Sequence, residues 1–91
     1  MDPTVRVNER VDVAVVFKRQ GDIGSVCMPH KMRWRGQEIE LTELALRHPT
    51  TQGKRMLHVF HVSDGSNGYR LEFDAESLTW VLVAMIAGNS S

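Results

Sequence analysis

His30, His58, His61 and the single Cys27 supply the nitrogen and sulfur atoms that zinc coordination or Cys-His catalysis would require. Their spacing works against both. On a strand, His58 and His61 differ by an odd number of residues and face opposite ways, so they share a metal only if the strand is bulged. Cys27 and His30 have the same problem, with Pro29 between them as the one escape. Cys27 has no Cys-His-Asn/Asp signature around it and reads as a small hydrophobe in a strand. Ser25, Ser63, Ser66 and Ser77 sit at strand ends or turns with no G-x-S-x-G elbow. Glu38, Glu40 and Glu72 read as solvated carboxylates. No catalytic residue, metal ligand or cofactor is therefore expected, and the chain is read as not an enzyme.

Two glycine-bearing loops, Gly21 to Gly24 and Gly65 to Gly68, resemble phosphate cradles only in composition, since neither precedes a helix or a Lys-Ser/Thr pair. The Asp64, Gly65, Ser66, Asn67 group lacks the twelve-residue ligand loop and closing Glu of a calcium site. Both read as turns. The best binding candidate is Lys31, Arg33 and Arg35, three cations on alternate positions of one strand with Trp34 between them, a pattern that can track a phosphate backbone. Lys54 and Arg55 would extend it. The competing reading pairs these cations across a hairpin with Glu38 and Glu40, and the parity of Trp34 with Met32 turns the indole toward the core.

The elements that position these residues are strands. In Met32 to Leu41, side chains alternate on both sides of Gly36, which marks a β-hairpin with a basic first arm and an acidic second arm. Val11 to Lys18, Ser25 to Trp34, Glu38 to Arg47, Arg55 to Val62, Tyr69 to Asp74 and Leu78 to Ile86 follow at the spacing of an all-β domain. Pro29 suggests an edge position or a bulge. Around 43–48, a bulged strand competes with one short helical turn, because Leu41, Leu44, Ala45 and His48 also fit a helical stripe before Pro49. The expected fold is an antiparallel meander of about six strands curled into a small barrel or roll. Residues 11–87 form the single β domain, with a loosely held N-terminus at 1–10 and a tail at 88–91.

Ninety-one residues support one small core. Eleven Lys plus Arg balance eleven Asp plus Glu, so no net field draws polyanions, although the charge runs from +3 over residues 1–36 to −3 over residues 64–91. One cysteine and no leader sequence point to a reducing, cytoplasmic setting. The apolar run Leu78 to Ala87 is half the ~20 residues of a membrane span, so no membrane partner is expected.

Trp34, Arg35 and Gly36, then Ile39, Leu41 and Leu44, with Phe60, Val62, Tyr69, Leu71, Phe73, Asp74, Trp80 and Leu82, resemble the small uncharacterised bacterial domains built around a W-R-G hairpin. Some of these are encoded near translesion DNA polymerase genes. The resemblance spans residues 31–86 and departs at Ile39, where the pattern has an aromatic. It implies an accessory role beside larger machinery, in DNA repair for example, and carries over no catalytic residue.

The leading expectation is a non-enzymatic protein-interaction or accessory module, docking to a protein partner or to itself as a homodimer through a strand edge or apolar patch. Val81, Val83 and Met85 would form that patch, as the second apolar face of the last strand. The alternative is an accessory nucleic-acid-binding domain using Lys31, Arg33, Arg35, Lys54 and Arg55. An open barrel mouth would admit a small apolar ligand.

Overall fold

A period of two with β-branched and aromatic residues on one face gives strands, and nearly every described segment is one. The computed structural model describes residues 4–19 and 25–88. Seven strands follow in order: β1 (Thr4–Arg19), β2 (Ser25–Trp34), β3 (Gln37–Glu40), β4 (Glu43–Gln52), β5 (Arg55–Ser63), β6 (Gly68–Asp74) and β7 (Thr79–Ile86). They form one antiparallel sheet in the order β3-β2-β1-β7-β6-β5-β4. The turn expected at Gln20, Gly21, Asp22 and Gly24 lies outside the described residues.

The sixteen-residue β1 changes partner along its length. Thr4 to Val11 pair with β7, and Asp12 to Arg19 pair with β2. The sheet therefore has a larger leaf, β4 to β7 with the first half of β1, and a smaller one, the second half of β1 with β2 and β3. Their apolar faces meet. Met32, from the smaller leaf, is fully buried with Leu71 and Leu82 from the larger one, and Phe60, Val62, Tyr69, Val11 and Trp80 complete the cluster. Phe60 and Phe73 both lean on Trp80, at ring-centroid distances of 5.3 Å and 4.7 Å.

The expected all-β antiparallel meander is present, but the barrel or roll is not. Closure needs a ladder between β3 and β4, and these are the two edges of the sheet, unpaired with each other. The chain passes from one edge to the other at a corner, through Leu41 and Thr42, which bond to β2 and β5. The Leu41 N–H donates to the His30 carbonyl at 2.8 Å and the Thr42 N–H to that of Ser63 at 2.8 Å. Packing one leaf on the other buries the core without sealing the seam.

Two further readings change. Residues 4–10, expected as a loose terminus, belong to β1 because Val5 and Val7 continue the alternation against β7. The last strand begins at Thr79, since Leu78 adopts a positive φ of 58° in the preceding turn. Around 43–48, of the two alternatives, the bulged strand is the one present, with a register shift between Leu44 and Leu46. Beside Pro29 the bulge expected there falls at His30, which the β1 register skips. No helix among the described residues is long and apolar enough to cross a membrane.

Candidate functional site

The leaves separate beyond the core, leaving a hollow of about 370 Å³. The smaller leaf contributes Val15, Phe17 and Cys27, and the larger contributes Arg47, His58, Phe60, Phe73 and Trp80. Its surface is mainly apolar. Arg47 reaches it through the β4 bulge: Leu44 pairs with Val62 and packs on the core, the extra residue reverses parity, and Leu46 turns out to solvent. Arg47 is then opposite Phe60, on the apolar face. Burial pushes the Cys27 thiol above its ordinary range, opposed by the nearby charge of Arg47. Cys27 is thus a poor nucleophile in this setting.

His58 and His61 do take opposite faces of β5, which has no bulge between them. His58 opposes Phe73 and lines the hollow, whereas His61 opposes Arg70 and stacks on His48 at 5.9 Å between ring centroids. Among the described residues, no group of three or more His, Cys, Asp or Glu is placed to hold a metal ion.

The structure divides the five candidate cations. Lys31 opposes Glu40 across the hairpin, and Arg33 has Glu38 on one side and Asp12 on the other. Arg35, at a positive φ of 51° in the hairpin turn, bonds Glu9 and lies over the Trp34 ring, 4.8 Å from its centroid. Arg55 pairs with Asp74 at 3.2 Å, and Lys54 is in the adjoining turn. Arg33 and Arg35 do come together with a cation outside the expected set, Arg10. The three border a polar depression of about 640 Å³ with Asp12, Leu78 and Thr79, where β1 passes from β7 to β2.

Val81, Val83 and Met85 do not share a face. Val81 opposes Arg10 on β1 and Glu72 on β6. Val83 sits at a register shift on both flanks, and beyond it Met85 opposes Tyr69 and packs against the core. β7 lies centrally, as its two apolar faces suggested.

Sequence reasoning missed Arg47 and Arg10. Arg47 was hidden because the bulge considered around 43–48 had no assigned position, and its place at Ala45 decides which face Arg47 takes. Arg10 lay in the segment read as a terminus, although its parity with Asp12 was available. Comparison of the chain with protein-family models, with curated proteins and with solved structures finds no match.

Proposed function

We propose that this domain is a non-enzymatic interaction module that takes an extended segment of a partner protein along β4. One observation carries the reading: β4, ten residues long, is an unpaired sheet edge, and one of its side chains, Arg47, borders the apolar hollow between the leaves. An exposed edge offers backbone donors and acceptors to an incoming strand, and alternate side chains of that strand reach whatever pocket lies beneath it. The Leu44/Leu46 register shift and Pro49 interrupt the edge, which guards against indiscriminate pairing and confines a partner to short stretches. The accessory role implied by the W-R-G resemblance fits such a module.

The test is selection of binders from a random peptide library on the folded domain, followed by mapping of backbone amide shifts. Selected peptides with alternating apolar residues, perturbing β4 first, are the expected result. Failure to select any peptide, or shifts confined to other strands, overturns it. Light scattering at high concentration decides whether a second copy supplies the segment.

The alternative, a nucleic-acid contact through Lys31, Arg33, Arg35, Lys54 and Arg55, draws less support. Two of these cations are held by carboxylates, and two others lie opposite them. It requires binding that weakens steeply with salt.

A further inference from the structure

We propose that the hollow between the leaves is a binding site for a small apolar carboxylic acid, its body against Phe60, Phe73 and Trp80 and its carboxylate on Arg47. The volume of about 370 Å³ is in the range of small-ligand pockets and holds a single ring with a short chain. Lining residues are apolar or aromatic except His58 and Arg47, and none is acidic. The Arg47 guanidinium therefore meets no carboxylate of the hollow. It makes no hydrogen bond or ion pair with any described side chain, in contrast to Arg35 and Arg55. Its charge nevertheless reaches inward as far as Cys27.

A guanidinium at the border of apolar surface favours a planar, singly charged oxyanion that it can grip with two parallel N–H donors. One cation neutralises one negative charge. A phosphate dianion would bring a second charge, and the lining has no second Lys or Arg to meet it. The alkyl or aryl body gains from contact with the clustered rings of Phe60, Phe73 and Trp80. This inference goes beyond strand pairing at β4 and does not depend on it, because the hollow is formed by side chains of both leaves in the absence of any partner.

The experiment titrates the intact domain with phenylalkanoates of increasing chain length and with the matching amides, read by calorimetry and by backbone and indole NMR shifts. The acids are expected to bind with shifts at Cys27, His58 and Trp80, and the amides about tenfold more weakly, a loss of about 1.4 kcal/mol. Arg47→Gln should remove the difference between acid and amide, whereas Arg70→Gln, on the opposite face, should retain it. A thermal melt confirms that each variant is folded. No saturable binding by any member of the series overturns the proposal, as do equal affinities of acid and amide, an unchanged ratio in Arg47→Gln, or shifts centred on Arg10 and Arg33. Failure of peptide selection on β4 leaves these results unaffected, so the two readings fall separately.

Discussion

The indole Nε1 of Trp34 donates to Oε1 of Glu9 at 3.0 Å across 25 residues of chain. Glu9 also accepts from the Arg35 guanidinium, which lies over the Trp34 ring. This one carboxylate thus pins the tip of the β2–β3 hairpin to the first half of β1, and so fixes the smaller leaf relative to the larger. Glu9 opposes Leu82, which places it at the end of the apolar face, where Trp34 needs an acceptor.

Glu9→Gln should lower the melting temperature by a few degrees near neutral pH. The Arg35 and Trp34 hydrogen bonds hold the Glu9 carboxyl below its ordinary value of 4.5, although burial works the other way. A depressed folded value means that the stabilisation is present above pH 4.5 and lost as pH falls through the folded value. The melting curves of the two proteins should therefore converge in acid; a constant gap at all pH values would contradict the assignment.

Asp64 organises the turn between β5 and β6. Its Oδ1 accepts from the Ser66 and Asn67 N–H groups at 2.7 Å each, and its Oδ2 accepts from the Tyr69 hydroxyl at 2.9 Å. Burial opposes ionisation of Asp64, but the Asn67, Ser66 and Tyr69 donors outweigh it and leave its carboxyl below the ordinary range. Asp64→Ala should cost about 2 kcal/mol, because charge-assisted bonds are lost and a half-buried hydroxyl is left without its acceptor. Tyr69→Phe should cost less than Asp64→Ala in urea unfolding, since the backbone donors keep their acceptor.

His61 carries a pH dependence of its own. Burial first, then the charges of Arg70 and His48, hold its imidazole below the ordinary value of 6.5. The folded protein resists protonation there, so this contribution is complete above pH 6.5 and is lost as pH falls through the lowered folded value. His61→Gln should flatten the stability profile in that interval. An unchanged slope between pH 7 and the carboxylate range would show that His61 is not responsible.

Leu78 is 73% exposed and has a φ of 58°, a left-handed conformation that Asn tolerates better than Leu. Leu78→Asn should raise stability by about 1 kcal/mol in chemical unfolding. A loss of stability would mean that the leucine side chain contributes packing that its exposure conceals.

Period two made most strands readable, and Tyr69, Leu71 and Phe73 turned inward as expected because β6 has no interruption there. Parity failed at two of the register shifts, at Leu44/Leu46 and at Val83. Each shift reverses every later residue on the strand, which brought Arg47 and Met85 to the apolar side. The division of β1 between two partners was not legible, since both halves have the same alternation. That division replaced the closed barrel with two packed leaves and an open seam. The candidate site was therefore legible only in part: Phe60, Phe73 and Trp80 read as core, while their meeting with Arg47 depends on the bulge.

The most direct measurement of the central claim is amide hydrogen exchange along β4, with and without a selected peptide. The β4 N–H groups directed away from β5 should exchange quickly in the free domain and become protected on binding, while the already paired amides of β6 and β7 change little. Protection that leaves β4 untouched, or edge amides already slow in the isolated domain at concentrations where it is a single chain, would contradict strand addition at this edge.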